Sequence, residues 1–301
     1  MAGHPLTSVT VPTHDGGLLH GDLHLPDDPP ATVVVLGHAM MADRRSLDRP
    51  AGAGLLAALC AAGLGVLRVD LRGHGESRLA GRRRPDGGGR AWAYDDLVAD
   101  AGSLAAWVAE RFPAATRVAV GHSLFGHTAL AFQATRDAAA GYDRLVLIAG
   151  NVWLPQLEPL RSRRLAKDVA ARGWRLLMPR HGLLPVRRLG LGSSDVSADF
   201  LRQVMGWQVR GDWTARDGRS YLDALPGVKE PVLSIAGAAD RLLSTPSSQE
   251  RFAALTGGPV LFETVGRATG FPVDAGHMAL VLDRRFASMW ARVARFATDG
   301  T

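Results

Sequence analysis

The sequence has little cysteine and little lysine. Its one cysteine, Cys60, sits in an Ala/Leu-rich stretch and excludes an intrachain disulfide, an economy compatible with a reducing compartment. Lys167 and Lys229 are the only lysines, so the net charge of +6 and the isoelectric point near 10.3 are carried almost wholly by arginine. Arginine alongside abundant alanine and glycine reads as the codon bias of a GC-rich genome, and clusters such as Arg82–Arg84 and Arg161–Arg164 read first as solvated surface. A contact for an anionic substrate tail is the other use of those clusters, and no nucleic-acid partner is expected. Long apolar runs are missing too. Ala51–Leu67 is broken by Gly52, Gly54, Gly63 and Gly65 and falls short of the roughly 20 residues a membrane span needs, so no membrane partner is expected. The opening MAGHPLTSVTVPTHDGG has neither a basic n-region nor an apolar h-region, which predicts a cytoplasmic protein without a secretory leader. Repeats, low-complexity tracts, a P-loop, HExxH and CxxC are all lacking. No cofactor or metal is expected.

What is present suits a globular chain: 301 residues, 47% hydrophobic and 21% charged, enough for one large α/β domain with an insertion or for two small domains. Its centre is TRVAVGHSLFGHTAL, Thr116–Leu130. An apolar strand over Val118–Val120 meets Gly121, and a helix is predicted over Leu124–Ala139, with Ser123 at the bend. Such a bend lifts the hydroxyl clear of the sheet while the first helix amides point at the same spot. The usual spacing is G-x-S-x-G. Here the second glycine, Gly126, comes one place late, and Phe125 must find room beside a neighbouring strand or helix.

Around that centre, segments 7–12 and 18–25 predict an antiparallel hairpin turning at His14–Gly17. His20 and His24 share one side of it and read as exposed strand histidines. Thr32–Leu36 is apolar on both faces, Gly65–Val69 reads as another buried strand, and a helix over Gly52–Ala62 between them makes the strand–helix–strand unit of a parallel sheet. Residues Arg78–Gly89 read as a surface loop, Tyr94–Glu110 as an amphipathic helix and Arg144–Ala149 as another buried strand. Val152–Leu225 changes to helical pieces broken by Pro155, Pro159, Gly173, Pro179 and Pro185, with Trp153, Trp174, Trp207 and Trp213 among them. Val232–Ala236 and Val260–Val265 resume the sheet around a helix over Ser247–Leu255, and a single amphipathic helix over Leu280–Phe296 closes the chain.

Asp70–Ser77 reads D-x-R-G-H-G-x-S, His38-Ala39-Met40 matches an H-G-x loop with alanine in the glycine position, and Gly121-His122-Ser123 opens the elbow. On these three motifs the chain resembles the α/β-hydrolases, and within them the lipases, esterases and serine peptidases. The resemblance implies a mostly parallel eight-stranded sheet with helices on both faces, a core of residues 1–151 and 226–301, and a helical cap over 152–225. It also implies a nucleophile Ser123, an acid Asp240 and a base His277, in the chain order expected of this fold. Asp274 is the rival acid, ahead of Glu263 and Glu158. His122 is expected to point away on the turn, His127 to pack or be solvated, and His38 and His74 to be structural. The oxyanion donors map to the amides of Leu124 and Met40, and Met41, Leu124, Trp153 and Met278 should help line an apolar pocket. The expected reaction is hydrolysis of a hydrophobic carboxylic ester through an acyl-enzyme. The alternatives are a thioesterase or acyltransferase acting on carrier- or coenzyme A-bound acyl groups, and a binding protein that kept the pocket and lost turnover. The partner is then a small-molecule ester or thioester.

Overall fold

The computed structural model describes residues 6–79, 92–137, 140–178 and 182–300. Residues 80–89 of the expected loop, with Arg82–Arg84, lie outside the described residues, as do Ala138, Ala139 and Pro179. The chain opens with the hairpin β1 (Leu6–Pro12) and β2 (Leu18–His24), then β3 (Thr32–Gly37), α1 (Leu55–Ala61), β4 (Gly65–Val69), α2 (Tyr94–Arg111), β5 (Thr116–His122), α3 (Leu124–Thr135) and β6 (Arg144–Ile148). An inserted segment holds α4 (Arg161–Leu177), the two-residue strands β7 (Leu183–Leu184) and β8 (Val196–Ser197), α5 (Ala198–Arg210) and α6 (Tyr221–Ala224). The chain ends through β9 (Val232–Gly237), α7 (Pro246–Ala253), β10 (Val260–Val265), α8 (Ala279–Leu282) and α9 (Ala287–Asp299).

The main sheet has eight strands in the order β1-β2-β4-β3-β5-β6-β9-β10. The pairs β1–β2 and β2–β4 are antiparallel and the others parallel, which is the α/β-hydrolase arrangement. Central strands carry apolar side chains on both faces because both faces are covered. Val33 and Val35 enter the core packed by α2 and α3, whereas Val34 and Leu36 enter the one packed by α1 and α9. Three expectations need correction. The helix after the elbow stops at Thr135. The closing helix is two pieces, because Asp283 turns extended and its carboxylate takes the Arg285 N–H, which overrides the apolar periodicity. Within the segment expected to be helical, β7 and β8 form a short antiparallel pair.

Aromatic packing fixes the inserted segment to the core. The Tyr94 ring of α2 lies 4.7 Å from Trp207, Trp92 lies 4.9 Å from Phe200, and Trp213 lies 5.3 Å from Phe252 of α7. A buried ion pair adds direction. Glu158 and Lys167 of α4 are 0% and 1% exposed, with Lys167 Nζ 3.1 Å from Glu158 Oε2. The same oxygen accepts the hydroxyls of Thr245 and Ser248 at the start of α7. Burial works to raise the Glu158 carboxyl, but the bonds from Lys167 and Ser248 outweigh it and hold it below its ordinary value. Stripping one partner from such a pair costs about 3–5 kcal/mol.

The irregular elbow is resolved on β3. Phe125 is 1% exposed, and a Cβ built on Gly37 would fall 2.1 Å from its ring. The room missing at the usual second glycine is therefore supplied by a glycine on the neighbouring strand. Gly37→Ala should destabilise by about 1–3 kcal/mol in urea unfolding through overpacking. Only part of that loss should be recovered in a Phe125→Ala background, because the Phe125 Cβ itself would stand 2.6 Å from the new methyl.

Candidate active site

β5 delivers Ser123 to the carboxyl edge of the sheet at φ 52°, ψ −107°, a conformation L-residues rarely adopt. The turn is held by two close approaches. The Ser123 N–H donates to the Ile148 carbonyl of β6 at 2.8 Å, and a Cβ on Gly121 would stand 2.2 Å from the Gly126 nitrogen. Leu124 begins α3, so its amide has no carbonyl one turn back to bond.

Asp240 follows β9 and His277 lies in the loop after β10. The Asp240 carboxylate accepts the Leu242, Leu243 and Ser244 amides and the His277 Nδ1–H, the last at 2.6 Å. Burial tends to raise this carboxyl, and the bond from His277 together with those amides brings it below its ordinary value. An ionised carboxylate beside Nδ1–H leaves Nε2 as the free ring acceptor. Ser123 and His277 line the same cavity. The rival acids are engaged elsewhere: Asp274 accepts the Arg267 N–H, Glu263 pairs with Arg292 at 2.7 Å, and Glu158 pairs with Lys167.

His122 is not among the walls of the cavity that Ser123 and His277 share. Its ring is fully buried, with its centroid 5.2 Å from that of His277, and its Nε2–H donates to the His277 carbonyl at 3.0 Å. Strand alternation puts His122 beneath the loop that carries His277, and its ring supports that loop. His127 is buried against the Tyr94 hydroxyl and reaches the cavity wall.

Two further histidines hold the loop after β3. His38 Nδ1–H donates to the Ala39 carbonyl and its Nε2 accepts the Leu71 N–H. His74 Nδ1–H donates to the Arg72 carbonyl, and its Nε2 accepts the Met41 N–H at 3.3 Å. Met41 sits at φ 65°. The rest of the Asp70–Ser77 motif is equally structural. Asp70 accepts the Arg44 and Glu76 amides, a Cβ on Gly75 would strike its carboxylate, and Arg72 spans Asp15 and Asp100. Of the paired hairpin histidines, His20 is half-buried and bonds Ser8, with Glu76 3.3 Å away. Among the described residues no three His, Cys, Asp or Glu side chains converge as a metal site.

The cavity at this edge has a volume of about 350 Å³. Met40, Met41, Leu124, Trp153 and Met278 all line it. Trp153 is anchored by its Nε1–H on the Leu243 carbonyl at 2.9 Å. The inserted segment supplies the walls that residue-by-residue reading did not reach: Trp174, Leu191, Phe200, Leu201, Val204 and Met205. Trp174 belonged to the tryptophan-rich signal of that segment, but Trp207 and Trp213 share the signal and are core.

The fold and site can be set beside known proteins. Residues 29–260 match the family model described as serine aminopeptidase, S33, and the chain belongs to that family of α/β-hydrolases. The matched span contains Ser123 and Asp240 and ends before His277. An esterase from Exiguobacterium antarcticum superposes with a TM-score of 0.61 at 15% identity, over 97% of this chain and 100% of that one. A thermophilic esterase from Thermogutta terrifontis gives 0.57 at 19% identity over 98% and 97% of the two chains. A structure titled a putative aryl esterase, from Burkholderia cenocepacia, gives 0.60 at 19% over 97% and 99%. No curated protein matches the sequence significantly. No helix among the described residues is long and apolar enough to cross a membrane.

The site's histidines predict an acid response. Burial lowers His38 to about 4 and His74, His122 and His127 to about 3. The unfolded chain binds these protons near pH 6.5 and the folded chain does not. Stability is therefore fully present above that pH and falls as pH drops towards 4, by at most about 1.4 kcal/mol per pH unit for each group. Urea midpoints at pH 7.5, 6 and 5 should decline steadily, and His127→Phe, if it folds, should flatten the slope.

Proposed function

We propose that this protein is a serine esterase acting on neutral, hydrophobic carboxylic esters through an acyl-enzyme. The observation that carries the reading is the Asp240–His277 bond of 2.6 Å at the cavity that also holds Ser123 on its left-handed turn. His277 Nε2 takes the Ser123 proton as the hydroxyl attacks the ester carbonyl, and Asp240 stabilises the imidazolium. The oxyanion is received by the Leu124 and Met40 amides, each contributing roughly 3 kcal/mol. The proton passes to the leaving alcohol, and water, deprotonated by the same imidazole, then cleaves the acyl-Ser123 ester.

In this reading residues 152–225 act as the cap, since Trp174, Phe200, Leu201, Val204 and Met205 wall the cavity. Apart from His277 and His127 the lining side chains are uncharged at every pH, which supports a neutral apolar acyl or alcohol group over a charged one. The arginines of α4 belong to the segment that walls the cavity but do not themselves line it, so the pocket itself lends no support to an anionic carrier.

A fluorophosphonate probe should label the wild type and not Ser123→Ala, and Ser123→Ala should lower kcat for a nitrophenyl ester on the order of a millionfold. Folded but unlabelled wild type would instead identify a binding protein. Efficient turnover of a thioester alone would point to a thioesterase. Met205→Trp, which fills the cavity, should lower kcat/KM for a medium-chain ester more than for acetate.

A further inference from the structure

α4 is built the wrong way round for a helix that only roofs a cavity. Its inward face carries Lys167, 1% exposed, together with Ala171 and the cavity-lining Trp174. Its outward face carries Leu165 and Val169, each 64% exposed, and Leu176, 86% exposed. Arg161, Leu165, Val169, Arg172 and Leu176 fall on one stripe at helical spacing, and Arg175 flanks it. Arg161, Arg172 and Arg175 are exposed and have no side-chain partner among the described residues. The helix has no freedom to roll its leucines inward, because rolling would pull Lys167 from Glu158 and strip a buried carboxylate of its counter-charge.

We propose that this outer face docks on an anionic lipid surface. Apolar side chains rimmed by arginine are what a helix lying in a headgroup layer requires: the leucines enter the acyl boundary while the guanidinium groups meet phosphates. A helix too charged to cross a bilayer can still lie on one. A second copy of the chain fits this face poorly, since a two-fold contact would set the same arginines against each other. Asp168, the one acidic residue of α4, bonds Gln208 and offsets one charge among the helix's five arginines, so the face stays net positive. The proposal goes beyond the esterase reading and does not depend on it.

The test is co-sedimentation of the full chain with vesicles of phosphatidylcholine alone and of phosphatidylcholine containing about one-third phosphatidylglycerol. The wild type should partition onto the anionic vesicles and leave them in about 0.5 M salt, where charges are screened within a few ångströms. Arg172→Glu/Arg175→Glu and Leu165→Ser/Leu176→Ser should each weaken partition roughly tenfold. Both variants should melt like the wild type and retain its fluorophosphonate labelling and its rate on a water-soluble short ester. Binding that is absent, equal on neutral vesicles, or unaltered in the variants would overturn the proposal. So would a concentration-dependent dimer that Leu165→Asp dissolves, which would assign the face to a second copy. Because sedimentation needs no turnover, an inactive wild type would sink the esterase reading alone.

Discussion

A serine at φ 52° persists only where its surroundings hold it there, at a cost on the order of 1–3 kcal/mol. The surroundings are strand packing on both sides. Gly121 and Gly126 let β5 and α3 close to near contact, Gly126 in turn stands against Gly150 beyond β6, and Phe125 fills the space over Gly37 on β3. Three adjacent strands thus converge on one turn. β3 also carries the Met40 loop, and β9, paired with β6, leads to Asp240, so the packing that sustains the turn also bears on the spacing of these groups.

Neutral buried histidines form a second level of the same design. His38 and His74 accept backbone amides from the segments they brace, and His122 donates to the backbone of the His277 loop. His38 and His74 do the work of rigid polar struts, which an uncharged imidazole can do because one ring nitrogen donates and the other accepts, whereas His122 is tied through Nε2 alone. Burial keeps them uncharged, so the bracing is insensitive to pH changes around neutrality.

How much of this could be read from the chain follows the range of the forces involved. Val33–Leu36 and Leu145–Ile148 announce themselves because a doubly covered strand is apolar at successive positions, while the count of eight strands comes from the family resemblance. Asp240 stands out as a candidate because it follows a buried strand, and His277 because Gly276 precedes it in a loop before the closing helix. The break at Asp283 does not stand out, since a single side chain bonding its neighbour's amide outweighs a periodic pattern. The seat of His122 under the His277 loop is not legible, because it depends on which face of β5 meets a loop some 155 residues later. The cavity wall is the least legible part. Trp174 and Trp207 look alike in sequence, and only the packing of α4 and α5 sends one to the cavity and the other to Tyr94.

The scarcity of lysine has a practical side. Lys167 is sealed beneath α4 against Glu158, while Lys229 is exposed just before β9. β9 runs from that end to the edge where Asp240 stands, six residues or roughly 20 Å away. Apart from the terminal amine, amine-reactive coupling to a bead or sensor chip therefore meets one accessible side chain, at the foot of the sheet. Protein attached there would present the cavity outward with a common orientation.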